Sequence, residues 1–342
     1  MINSEMVKKA AKQFGADLVG IASMDRFEGA PKQNDPRYIF PDAKSMIVLG
    51  YRIPRGTFRG IEEGTYFTSY PSMGYAGINW VYGPMVLWNL SRFIEDEGYE
   101  AVPIANINGA EAVSISSGNF KMNWSIPVSP DKPYPDVLVN FRIAAFCAGL
   151  GEIGYSRIFL TPEFGPLQRF TIMLTDAPLE PDPLYNGPKL CDGCKSCVRN
   201  CPGGALNGNK SVKLTIAGRT VEFADFDYQK CLKGMRGGVN DGISPFIGDA
   251  KKFPMKNLVR FYGYGGSVEA GKGCLRACLK HLESKGVLTR KFHGKFQRGK
   301  MWSITPGEEK PISEHIMNDY INKGKVEEVK NPESVKIGVP WA

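Results

Sequence analysis

The sequence predicts an α+β fold in two parts, and three observations predict it. Segments of helical and strand periodicity alternate through residues 1–185. A connector with four prolines, 176–188, follows. Four of the chain's eight cysteines then crowd into residues 191–201, CDGCKSCVRNC, with Pro202 next. At 342 residues the chain is longer than a single core usually grows, and its 42% hydrophobic and 23% charged content is that of a globular protein.

The elements follow in chain order. An amphipathic helix is predicted from about Ser4, with Val7, Ala10, Ala11 and Phe14 on one face, and a short strand follows at Asp17–Ala22. SMIVLGY, 45–51, reads as a strand, and PMVLWNLSRFIEDEG, 84–98, as an amphipathic helix closed by a glycine cap. Ala101–Ile107 reads as a strand. Residues 136–148 are apolar at helical spacing until Gly149 and Gly151 break the pattern, and Phe170–Thr175 reads as a strand. Such alternation around one core argues for α/β or α+β layers.

Composition excludes several function classes. No apolar run approaches the roughly 18 residues of a membrane helix. The N-terminus carries neither a signal-peptide apolar region nor a twin-arginine pair, so a cytoplasmic chain is expected unless an export signal was removed before residue 1. In a reducing cytosol, clustered cysteines bind metal or do redox chemistry rather than form disulfides. The net charge of +8 permits a polyanionic partner without requiring one. No P-loop and no GxSxG motif occurs. Gly149–Gly154 spells GxGxxG, but a helical segment precedes it, which is the wrong context for a dinucleotide fingerprint; a tight turn is the plain alternative.

The cysteine spacing carries the chemistry. A structural zinc site usually takes two separated CxxC pairs. Here the gaps are two, two and three residues, with proline after the last, which is the bacterial-ferredoxin run. Cys191, Cys194 and Cys197 wrap one cubane, while Cys201 reaches a different cluster. A second set must then exist. Cys231, Cys274 and Cys278 supply it. By the crossover, Cys278 completes a four-thiolate 4Fe–4S cluster with the first three. Cys201, Cys231 and Cys274 are left to hold the second cluster with three thiolates, as 4Fe–4S or 3Fe–4S. Gly271 stands where the missing cysteine would be, so water, another side chain or nothing fills that place. Cys147 lies in an apolar run and reads as a small buried hydrophobe.

The stretch CAGLGEIGYSRIFLTPEFGPLQRFTIMLTDAPLEPD, 147–182, followed by the cysteine run, resembles the cobalamin-dependent reductive dehalogenases and, more distantly, the epoxyqueuosine reductases. KKAAKQFGADLVGIA and FIEDEGYEAVPI also look like that superfamily. The resemblance implies a nitroreductase-like α/β corrinoid-binding core over 1–185. It implies a C-terminal bacterial-ferredoxin-type two-cluster domain over 186–285, with a basic segment and tail over 286–342. It implies base-off cobalamin held without a histidine ligand, in keeping with three histidines that all lie at or beyond His281. Gly149, Leu150, Gly151, Gly154, Thr161, Pro162, Glu163, Phe164 and Gly165 would then line the corrinoid, the glycines letting backbone come close. Electrons would arrive from a low-potential donor of ferredoxin or flavodoxin type and pass through the clusters to cobalt. A small-molecule substrate would lose a halide or an oxygen leaving group.

Dehalogenases of this type use a tyrosine acid beside a basic residue. By position the basic residue is Arg169, whose other reading is a surface ion-pair residue, yet no tyrosine occurs between Tyr99 and Tyr134. Epoxyqueuosine reductases use an aspartate about a dozen residues ahead of the AGLG turn, and Asp136 meets that offset. Its other reading is the N-cap of the following helix. Tyr134 is the alternative acid. KGVLTRKFHGKFQRGK, 285–300, interleaves basic residues with Phe292 and Phe296, as suits tRNA; its preferred reading is a solvated basic hairpin or a docking face for an acidic electron donor. A non-catalytic electron-transfer iron–sulfur protein that kept the fold is the remaining alternative.

Overall fold

Helix α1 (Ser4–Phe14) starts where Asn3 accepts a hydrogen bond from Met6 N–H and stops at Gly15, whose φ of +118° closes the last turn. Val7, Ala10 and Ala11 form its buried stripe, as the periodicity predicts. In this computed structural model the described residues are 2–66, 68–106, 126–135, 137–235, 243–244, 248–249 and 273–297.

Four strands form one antiparallel sheet: β1 (Leu18–Ser23), β2 (Ser45–Arg52), β3 (Ala101–Ile104) and β6 (Gln168–Thr175), in the order β1-β2-β6-β3. The central strands are covered on both faces, which explains why SMIVLGY reads as an unbroken apolar run rather than an alternating one. Ile47, Leu49, Tyr51 and Met173 face one core with α1 and with α3 (Gly83–Asp96). Met46, Val48, Ile172 and Leu174 face a second core with α4 (Phe141–Cys147). Each such Ile, Leu, Val or Met contributes about 1.5–3 kcal/mol of transfer free energy as an upper estimate. The result is a mixed helix-and-strand fold with the sheet between helical layers.

Between β2 and α3 lie the short helix α2 (Arg59–Glu63) and a wide, π-type helical segment, Tyr70–Tyr82. After α4 come the two-residue strands β4 (Glu152–Ile153) and β5 (Phe159–Leu160). Helix α5 (Ser196–Arg199) follows the connector, then the hairpin β7 (Leu206–Ile216) and β8 (Arg219–Phe226), helix α6 (Tyr228–Met235) and, later, α7 (Cys274–Lys285). The hairpin turns on Ala217 and Gly218, both at positive φ (+48° and +75°), the backbone that a tight two-residue loop demands.

Three expectations need correction. The helix predicted over 136–148 runs only over Phe141–Cys147, because Asn140 caps it: its side chain accepts from the N–H groups of Arg142 and Ile143 at 3.1 and 3.2 Å. Asp136 is therefore not the cap, and it lies outside the described residues. The strand from Ala101 is described to Ile104, and Ile107 lies outside the described residues. The proline-rich connector is bound to the sheet: Asp182 exchanges backbone and carboxylate hydrogen bonds with Ile21 and pairs with Lys8. Among the described residues no helix is long and apolar enough to cross a membrane.

Candidate functional site

The first thiol set is assembled by a loop and two helices. Cys191 and Cys194 lie in the loop that enters α5, where Gly193 (φ +74°) and Lys195 (φ +54°) take left-handed backbone. Cys197 sits in α5. Cys278 sits one turn into α7, which packs on α5. The Cys278 thiol is pushed well above the ordinary thiol range, by burial first and then by the thiolate charges of Cys191, Cys197 and Cys194. Burial, then Cys191, raises the Cys197 thiol to about 11. The Cys278 thiol thus lies within electrostatic range of Cys191, Cys194 and Cys197, so the four side chains face one small region. A lone tetrahedral zinc, with Zn–S near 2.3 Å, needs its sulfurs about 4 Å apart. Among the described residues the three-ligand group with donors all within 4.8 Å is Asp192, Cys194 and His281, not the thiols.

The surroundings suit a cluster as well. Tyr155 N–H donates to Cys191 Sγ at 3.3 Å, and Ala205 N–H to Cys201 Sγ at 3.2 Å. Such bonds stabilise anionic sulfur and help set cluster potential. Glu152 accepts from Cys191 N–H; burial raises its carboxyl pKa, and the backbone bonds partly offset that. Asp192 is held down to about 2, chiefly by its hydrogen bond from His281 at 2.9 Å.

Cys201 and Cys274 pack with Phe226 against a small core of Cys197, Leu206 and Ala224. Arg157 lies over the Phe226 ring at 4.9 Å and within electrostatic range of Cys231, which α6 carries. Gly271 lies outside the described residues. Cys147 belongs to neither set: it is fully buried in the core under α4, and burial pushes its thiol up to about 12.

The segment assigned to the corrinoid is more mixed. A Cβ on Gly149 (φ +73°) would come within 2.1 Å of the Pro183 carbonyl oxygen, and one on Gly151 within 2.0 Å of the Leu160 oxygen. These glycines are thus already required by the chain's own crossing with the connector and with β5. Gly154 packs on Leu160, and Gly165 on Leu282 and Leu288. Leu150 packs against the core under α4 and Phe164 against the other core. Thr161 is buried and bonds Gln168, and the Pro162 carbonyl accepts from Thr289 N–H. Glu163 differs: its Oε2 is buried with no hydrogen-bond partner among the described residues. A corrinoid carries peripheral amide donors, and this acceptor fits one. The turn borders a cleft of about 450 Å³ shared with Tyr155, Tyr185 and Cys191. The GxGxxG stretch follows helix α4 and runs into strand β4, opposite to the dinucleotide-binding arrangement.

Arg169 lies half-buried on β6 opposite Tyr51. Its Nη2 donates to the Tyr70 hydroxyl at 2.6 Å, and its guanidinium lies 4.3 Å from the Tyr75 ring centroid. Tyr134 is exposed and tied by its backbone to Gln33, so the tyrosine brought to Arg169 is Tyr70 instead. Sequence offers no sign of this, because Tyr70 precedes the stretch in which an acid is expected.

The described residues join a layered helix-and-strand core to two groups of cysteine side chains. No family model matches the chain. It is similar to the tetrachloroethene reductive dehalogenase of Sulfurospirillum multivorans, 27% identical over 287 residues that take in 70% of this chain and 49% of that protein. It is similar to the epoxyqueuosine reductase of Listeria monocytogenes, 35% identical over 89 residues, 25% of this chain and 23% of that one. A solved catabolic reductive dehalogenase in complex with 3-bromo-4-hydroxybenzoic acid aligns at 18% identity and a TM-score of 0.49, over 82% of this chain and 36% of its own. The chain spans about half or less of the length of these relatives. It is a relative of reductive dehalogenases and epoxyqueuosine reductases, as the 147–201 stretch predicts.

Proposed function

We propose that this chain is a corrinoid- and iron–sulfur-dependent reductase of the dehalogenase kind. Two electrons and one proton convert R–X to R–H and X⁻, with X a halide or an oxygen leaving group. The observation that carries the reading is the convergence of Cys191, Cys194, Cys197 and Cys278 beside the glycine turn, with Tyr155 N–H on Cys191 Sγ. On this reading residues 1–185 are the nitroreductase-like corrinoid-binding core, 186–285 the ferredoxin-type domain and 286–342 the basic segment and tail. Bound base-off, cobalamin supplies the low-valent cobalt that breaks the bond to the leaving group. Glu163 and the 149–165 backbone would hold it. Arg169, fixed by Tyr70 and Tyr75, stabilises developing negative charge, and Asp136 or Tyr134 delivers the proton. Electrons enter from an acidic ferredoxin- or flavodoxin-type donor.

The test is metal and cofactor content after anaerobic purification and reconstitution with iron, sulfide and cobalamin. About one cobalt and about seven or eight irons per chain support the reading. Iron without retained cobalt overturns it and leaves an electron-transfer protein. A second reading, action on tRNA, is favoured by one observation. Arg55, Lys280, Arg290, Lys291 and Lys295 line a cavity of about 500 Å³ together with Phe292, whose ring lies 3.6 Å from the Arg55 guanidinium. An anticodon stem-loop should then bind with a steep salt dependence; binding no tighter than to an unrelated RNA hairpin removes this reading.

A further inference from the structure

The three-thiol set has a cation built against it. Arg157 is only 4% exposed and sits in left-handed backbone at φ +68°. Its guanidinium lies 5.0 Å from the Phe223 ring centroid and 4.9 Å from that of Phe226. Nη1 and Nη2 are both out of water and have no hydrogen-bond acceptor among the described residues. Asp225 and Cys231 attract it through space, Arg142 repels it, and burial is the largest influence on it. A guanidinium cannot shed its charge near neutral pH, and buried N–H groups of a charged side chain left without acceptors are strongly disfavoured. A chain that keeps one there, in strained backbone, keeps it for an anion.

The thiols identify that anion. Phe226, on which the guanidinium lies, packs against the same small core of Cys197, Leu206 and Ala224 as do Cys201 and Cys274. Cys231, the remaining thiol of the set, is within range of its charge. An iron–sulfur cluster presents thiolate and sulfide sulfurs, all acceptors of N–H bonds. Hydrogen bonds and net charge at those sulfurs are what set a cluster's potential.

We infer that Arg157 is a positioning and potential-setting residue of the three-thiol cluster, donating its free N–H groups to the cluster's sulfur. The inference rests on the proposal that Cys201, Cys231 and Cys274 hold a cluster. Losing a thiolate and gaining a cation both favour the reduced form. The three-thiol cluster therefore lies at higher potential than its four-thiol neighbour, and electrons settle on it.

The test is an EPR-monitored redox titration of the reconstituted full chain, as wild type, Arg157→Gln and Arg157→Lys. Cys231→Ala identifies which signal belongs to the three-thiol cluster. The expected result is a negative shift of that cluster's midpoint in Arg157→Gln, a smaller shift in Arg157→Lys, which keeps the charge, and an unmoved four-thiol midpoint at equal iron. Unmoved midpoints at full iron, or equal shifts of both clusters, overturn the inference. Should Arg157→Gln not fold, wild type labelled with ¹⁵N-arginine decides: a pulsed-EPR arginine-nitrogen coupling to the reduced three-thiol cluster supports the role, and its absence overturns it. A wild type holding only about four irons removes the second cluster itself, a failure of the underlying proposal recognisable before any variant is compared.

Discussion

At the scale of single residues, the cysteines divide by surroundings rather than by type. Cys278→Ala should lower iron from about eight to about four per chain, because a cubane missing a thiolate at its buried corner is lost. Cys147→Ala should leave iron unchanged. With its thiol held up at about 12 by burial, Cys147 has almost no thiolate at pH 8, so iodoacetamide should label it only after unfolding, as peptide mass spectrometry would read. Labelling of native Cys147 at pH 8 would contradict the core placement. Tyr70→Phe removes the acceptor of a charge-assisted bond to Arg169 and should cost about 1–3 kcal/mol in urea unfolding. The closeness of Cys191, Cys194 and Cys197 was legible in the sequence because gaps of two residues keep them near one another through covalent spacing. Tyr70 was not, since 99 residues and a wide helical segment separate it from Arg169.

At the scale of elements, local patterns that match tertiary burial could be read, and those that compete with it could not. Helix α1 and strands β2 and β6 combine apolar periodicity with clear ends, and they lie where expected. The helix before the glycine turn was placed too early, because an apolar run cannot tell 137–140 from the helix proper; a buried Asn140 makes that decision. Asn140→Ala should destabilise the chain by about 1 kcal/mol, and Asn140→Asp, which keeps the acceptor, should not; equal unfolding midpoints for Asn140→Ala and wild type would refute the cap. The β7–β8 hairpin escaped prediction because its strands are largely polar and its turn is Ala-Gly, not the Asn-Gly or Asp-Gly that usually signals one. The glycines of 149–151 were legible as special positions. That the connector and β5 crowd two of them was not, as Pro183 and Leu160 meet them only in three dimensions.

At the scale of the whole molecule, the two ends of the described chain are fastened by charge. Arg276 on α7 makes a two-pronged bond to Glu62 on α2 at 2.6 and 2.7 Å, both side chains 5% exposed, and Arg55 pairs with Glu283 at 3.0 Å. Glu62→Gln strands a buried guanidinium and should cost about 3–5 kcal/mol in urea unfolding, with iron loss at lower urea than in wild type. A variant as stable as wild type would show that the pair is dispensable. Arg276 also lies between Cys274 and Cys278, which belong to different thiol sets and are four residues apart on one helix. That separation is about 6 Å of helical rise, fixed by backbone geometry. On the proposed assignment, one ligand of each cluster therefore rides on the same rigid rod. On that assignment, changing the spacing of these two ligands would require unwinding a turn of helix, which would hold the distance for charge hopping between the clusters nearly constant. Regulation is left to act on what arrives at the rod and what departs from it.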